Sequence, residues 1–225
     1  MIRLEAEGWR LELLPDLGGA ISSLAFQGRD VLRPAAPDVS DPLETACFPL
    51  APFANRVANG RFTFGGRRIG LPVLDRFHPH ALHGEAWLEP WSVVAVHDRS
   101  VTLQFRGGGG WPWPYVSRQT IALDRRQATI SLQLTNASAT VMPAGLGLHP
   151  YFLTVPDARL TFAAKGAWLG EAGGIPERLG ASSELFDFSD GPARAGVPFI
   201  DHCYGGWRGV ATVRDESRTV AIFAT

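Results

Sequence analysis

A chain of 225 residues, 45% apolar and 19% charged, has the material for one well-buried domain rather than a disordered or fibrous chain. Its net charge of −1, with no basic cluster beyond two adjacent arginines, excludes a nucleic-acid backbone binder, and no apolar run reaches membrane-spanning length. Two cysteines, Cys47 and Cys203, make no disulfide framework, and Met1 is followed by no apolar leader, so a reduced, cytoplasmic protein is expected.

The 25 glycines and 17 prolines call for many turns, and a period of two dominates between them. Trp9, Leu11 and Leu13 alternate with Arg10 and Glu12. Residues 33–60 are proline-rich and irregular. Phe62 and Phe64 alternate up to Gly65-Gly66, a turn into 67–71, and 70–91 is a second irregular stretch with three of the six histidines. Val94 and Val96 lead through a turn at His97-Asp98-Arg99-Ser100 to Val101, Leu103 and Phe105. Ile121 and Leu123 pass through Asp124-Arg125-Arg126 into Ile130, Leu132 and Leu134. Residues 210–214, Asp215-Glu216-Ser217 and 218–223 read as one more hairpin. No helical stripe of three turns is present. The pattern predicts an all-β sandwich or barrel in one domain, 1–225, whose two long irregular stretches are binding loops.

Five places carry residues suited to chemistry. His149 lies between Gly145-Leu146-Gly147-Leu148 and Pro150-Tyr151-Phe152, so a titratable ring stands at a strand end with aromatics behind it. That suits proton transfer, and equally a hydrogen-bonded structural histidine. Arg56 beside Asn55 can fork onto vicinal hydroxyls or a carboxylate, or pin its own loop. Four glycines at 107–110 run into Trp111-Pro112-Trp113-Pro114-Tyr115; the run lacks phosphate-loop spacing, and the aromatics suit a sugar platform or the core. His78-Pro79-His80 with Glu85 has metal-ligand spacing of the cupin type, although Pro79 works against a regular strand there. The other reading makes His83 a neutral ligand of a polar substrate. Asp201, after the apolar residues 197–200 and before Gly205-Gly206, can accept from two hydroxyls or cap the turn.

Four motifs occur in order: Phe48-Pro49-Leu50-Ala51-Pro52-Phe53-Ala54-Asn55-Arg56, Ala81-Leu82-His83-Gly84, Gly147-Leu148-His149-Pro150-Tyr151-Phe152 and Ile200-Asp201-His202-Cys203-Tyr204. Together they resemble the aldose 1-epimerases, the galactose mutarotase family, in the branch whose variant reads His83-Gly84-Glu85-Ala86-Trp87 here. The resemblance implies an antiparallel β-supersandwich, a free hexose as small-molecule partner, and neither metal nor organic cofactor. It implies His149 as the general acid on the ring oxygen. Arg56, His83 and Asp201 become ligands of sugar hydroxyls, with Asn55 setting Arg56. A glutamate base in a Glu-Pro context, which the resemblance also implies, has no match before Thr225, and Glu44, Glu85 and Glu89 do not stand at its position. The expectation is therefore a chain shortened at its C-terminus and of doubtful activity, or a member lacking the usual base. A non-catalytic sugar-binding protein is the alternative. A hexose-6-phosphate mutarotase is the other, for which Arg76 and Arg118 would have to supply cationic ligands.

Overall fold

Alternation of apolar and polar residues makes strands here because one face of each must be buried and the other wetted. The computed structural model describes residues 1–171 and 174–225, and every strand pair among them is antiparallel. The fold is all-β, with helical structure confined to short 3-10 turns. The described residues form two units, Met1–Leu153 and Thr154–Thr225.

In the first unit, β1 (Ile2–Ala6), β2 (Trp9–Leu14) and β3 (Ala20–Phe26) form a meander, with the short β4 (Arg29–Asp30) paired to β3. The chain then wanders through the proline-rich stretch before β5 (Cys47–Leu50), β6 (Arg56–Val57) and the β7 (Arg61–Phe64) to β8 (Arg67–Gly70) hairpin. The β9 strand (Ala81–Leu82) pairs with β6. Four strands follow as a second sheet, β10 (Ser92–His97), β11 (Ser100–Gly107), β12 (Tyr115–Leu123) and β13 (Ala128–Asn136). Finally β14 (Gly147–Pro150) returns to pair with β5 at the edge of the first sheet, in the order β1-β2-β3-β5-β14.

Leu11, Leu13, Ile21 and Leu24 of the first sheet and Val101, Leu103, Ile121 and Leu123 of the second share one buried cluster, so the unit is a sandwich. Each such side chain contributes about 1.5–3 kcal/mol by leaving water. Trp111 and Trp113, 4% and 7% exposed, belong to this cluster too, which settles them as core rather than as a sugar platform. The β10 strand departs from clean alternation. A bulge between Val93 and Ala95 shifts its register, and Val93, Val94 and Val96 stay about half exposed at the sheet's edge.

The second unit holds two three-stranded sheets. One is β15 (Arg159–Phe162), β19 (Val210–Arg214) and β20 (Thr219–Phe223); the other is β17 (Arg178–Gly180), β16 (Gly166–Leu169) and β18 (Cys203–Gly205). The expected 210–223 hairpin is the β19–β20 pair. Residues 197–200, apolar in sequence, are not a buried run: Phe199 is 85% exposed, and no strand includes it. Among the described residues no helix is long and apolar enough to cross a membrane.

Candidate functional site

Phe48 is the floor on which the first unit's candidate residues collect. It stands mid-strand in β5, fully buried, directly opposite His149 on β14. The two rings stack with centroids 4.8 Å apart and planes within 10°. Trp87 stacks on Phe48 at 5.4 Å, and Tyr151 closes on the imidazole of His149 at 4.9 Å. Arg33 lies over the Tyr151 ring at 4.3 Å while donating to the Leu43 and Thr45 carbonyls. His149 thus sits on an edge strand that ends at Pro150; of the two aromatics that follow it in sequence, Tyr151 meets its ring, and Phe48 from β5 supplies the other contact. Gly147 precedes it because β5 and the 51–55 segment come close; a Cβ there would meet Ala54 Cβ and Leu50 Cδ1 at 3.2 Å.

His83 reaches the same place from the other irregular stretch. Its ring is 5.5 Å from that of His149, edge to face. Its backbone is left-handed, φ 60°, as is that of Asn55, φ 66°. Asparagine tolerates that conformation, but a histidine held there costs on the order of 1–2 kcal/mol, so its neighbours must impose it. They do so by reciprocal bonds. The His83 N–H donates to the Asn55 carbonyl at 3.0 Å, and the Asn55 N–H donates to His83 Nδ1 at 2.9 Å. The Asn55 side chain accepts the Arg56 N–H at 2.8 Å, and β6–β9 pairing sets Arg56 opposite Leu82.

That geometry fixes a tautomer. With Nδ1 accepting from a backbone amide, the proton of neutral His83 belongs on Nε2. Burial, then the nearby His149 and the Arg56 guanidinium, lower its pKa to about 3. His83 is a neutral donor at any physiological pH. The Cys47 thiol beneath is inert: burial pushes it up to about 12 against a hydrogen bond with the His149 backbone.

The His83-Gly84-Glu85-Ala86-Trp87 spacing has a local reason. Gly84 takes φ 76° and bridges to Ala51, where a Cβ would overlap the Ala51 carbonyl. The Ala51 oxygen is then free to accept the Ala86 N–H at 3.1 Å. Trp87 Nε1 donates back to the Gly84 carbonyl at 3.1 Å. The tryptophan three residues on pins the turn that presents His83.

Of the sequence-predicted residues, Asn55, Arg56, His83 and His149 come together in the first unit. Asp201 lies in the second, exposed, two residues before β18; the ring of the intervening His202 meets the Gly170 carbonyl at 3.1 Å. Two of the cupin-type trio are otherwise engaged. His80 Nδ1 accepts from the Asn59 N–H at 3.1 Å, and both Glu85 oxygens accept from backbone amides of the 107–110 run. Among the described residues no group of three histidine, cysteine or acidic side chains is placed to hold a metal. Arg76 is paired with Asp41 and lies over the Trp87 ring at 5.5 Å, and Arg118 donates to Gln104 at 3.0 Å. Sequence reasoning missed Phe48 as the stacking partner of His149; register with β14, visible only after pairing, is the signal that finds it.

The family model described as Aldose 1-epimerase matches residues 2–225. The uncharacterized protein YphB of Escherichia coli (strain K12) is 33% identical over 211 residues, 92% of this chain and 71% of that protein. A crystal structure from E. coli K12, provisionally described as an aldose 1-epimerase, superposes with a TM-score of 0.85 at 30% identity, covering 96% of this chain and 73% of that one. A galactose mutarotase-like protein from Clostridium acetobutylicum shares the fold, with a TM-score of 0.77 at 18% identity over 96% of this chain and 74% of that one.

Proposed function

Because the chain belongs to the aldose 1-epimerase family, we propose that it interconverts the α and β anomers of a free hexose by acid–base ring opening, with His149 as the acid. The observation that carries this reading is the pair of imidazoles 5.5 Å apart, of which one is held neutral by the Asn55 amide. Two histidines competing for one proton would blur the roles; with its pKa lowered to about 3, His83 does not compete for it. Imidazole, whose unperturbed pKa is about 6.5, is the side-chain type suited to a proton transfer near neutral pH.

The bookkeeping of the step is closed. His149 gives its proton to the ring oxygen as the C1–O5 bond breaks, and the C1 hydroxyl loses its proton as C1–O1 becomes a carbonyl. Rotation about C1–C2 presents the other face, and the ring oxygen attacks C1 while both protons return. His83 Nε2–H is assigned as a donor to a sugar hydroxyl, and Arg56 as its cationic neighbour. Asn55 sets both, and Asp201 is assigned a hydroxyl on its resemblance alone. Glu85 is not offered as the base, since both of its oxygens accept backbone amides. The proton from O1 goes to water or to another carboxylate. No metal or cofactor enters the proposed step.

The test is polarimetry or NMR of freshly dissolved α-glucose and α-galactose with wild-type protein and His149→Gln. The variant should lose on the order of 10²–10⁴ in rate while keeping its fold. A wild-type protein that does not accelerate anomer exchange over buffer would overturn the reading. Full activity in His149→Gln would move the acid role elsewhere.

A further inference from the structure

Glu85 is a carboxylate in the loop that presents His83, two residues away, yet its geometry is not that of a base. One oxygen accepts the Gly108 N–H at 2.7 Å and the other accepts the Gly110 N–H. Successive amides turned onto one anion form a nest, and here the anion is the protein's own. The plain run of glycines is what allows the loop to close. Gly108 has φ 130°, a Cβ on Gly107 would overlap the Tyr115 ring, and one on Gly110 would stand 2.9 Å from Glu85 Oε2. The Tyr115 hydroxyl, beside this carboxylate, donates to the Ala51 carbonyl at 3.4 Å, the same carbonyl that accepts the Ala86 N–H.

The clamped loop reaches both members of the Asn55–His83 pair. Glu85 continues directly from His83-Gly84. From Gly110 the chain runs into Trp111, whose ring lies 5.6 Å from Phe53, two residues before Asn55. One loop is therefore joined to the segment of His83 through Glu85 and to that of Asn55 through the Trp111–Phe53 contact. We propose that Glu85 is a positioning residue: by holding the 107–110 amides it keeps the His83 backbone left-handed and its ring in the Nε2–H form. The carboxylate touches neither sugar nor reacting atoms. Its consequence for catalysis rests on the mutarotase reading, whereas its consequence for the His83 tautomer does not.

The experiment uses the full chain as wild type, Glu85→Gln, Gly110→Ala and Gly109→Ala. The readouts are 15N NMR of the histidine rings at pH 7, and the KM and kcat of α-glucose or α-galactose mutarotation. Glutamine offers one acceptor and turns an NH2 toward the second amide. A Gly110 Cβ pushes on the carboxylate itself. Both variants should turn the single His83 tautomer into a mixture. Both should raise KM by about fivefold or more while kcat stays within about threefold, because a misplaced hydroxyl ligand weakens ground and transition states alike. Gly109→Ala should match wild type, since its Cβ would meet only Glu85 Oε2, at an ordinary 3.7 Å. An unchanged tautomer with unchanged KM in both variants would overturn the proposal. So would a roughly hundredfold loss of kcat at constant KM in Glu85→Gln, which would make the carboxylate a proton-transfer group. If wild type proves inactive, the tautomer decides alone: a mixture in both variants upholds the clamp although the functional reading has failed, and no change overturns it. Should Glu85→Gln not fold, Gly110→Ala carries the same comparison.

Discussion

His83 holds its charge off at the cost of acid stability. Its folded pKa of about 3 lies below the ordinary 6.5, so between those values the unfolded chain binds a proton that the folded chain refuses. Stability contributed by this group is full above about pH 6.5 and falls as the pH drops toward 3, by about 1.4 kcal/mol per unit at most. His83→Asn, which suits the left-handed backbone and does not titrate, should flatten that dependence. Urea midpoints at pH 7, 6 and 5 measure it, and parallel curves for the two proteins would refute the assignment. The residue types at this site are legible in the sequence: an Asn-Arg pair, a histidine before a glycine, a histidine before a proline. The tautomer is not legible, because it depends on an amide 28 residues away.

Elements show the same division between local and distant causes. Gly65-Gly66 and Asp124-Arg125-Arg126 announce their hairpins, since a turn is a property of adjacent residues and the strands around it carry their own alternation. The run at 107–110 looks like a flexible tether, and its purpose stays hidden because the carboxylate it encloses is 23 to 25 residues away. Residues 197–200 fail for the opposite reason: apolar composition suggests burial, yet Phe199 finds no face to cover it within the described residues. Gly84 permits a sharper test. Like Gly28 it has a positive φ, 76° against 75°, but Gly28 looks into open space whereas a Gly84 Cβ would overlap the Ala51 carbonyl. Gly28→Ala should cost only the left-handed term, about 1–2 kcal/mol. Gly84→Ala should cost at least about 2 kcal/mol beyond that, from the clash with the Ala51 carbonyl, which the Ala86 N–H holds in place. Denaturant melts of both variants decide, and equal losses would mean that the Ala51–Gly84 approach yields easily.

At the scale of the molecule, the all-β class is legible because a period of two survives in nearly every regular stretch, while the division at Leu153 has no counterpart in composition. The physical basis for treating Met1–Leu153 as a body in its own right is that both apolar clusters lie wholly inside it, as do all the strand pairs of its two main sheets. A body of this size buries roughly 68–70% of the surface its unfolded chain exposes, which ordinarily leaves about 5–15 kcal/mol of net stability. The Phe48–His149 stack and the Asn55–His83 exchange also close within it. Residues 1–153 produced alone should therefore unfold in one cooperative urea transition and keep near-UV circular dichroism from the buried Trp87, Trp91, Trp111 and Trp113. Ring 15N spectra of the fragment should still show His83 as its Nε2–H tautomer. A fragment without a cooperative transition would show that the first unit's clusters do not suffice. A cooperative fragment with an altered His83 tautomer would show that the site, unlike the core, needs residues beyond Leu153.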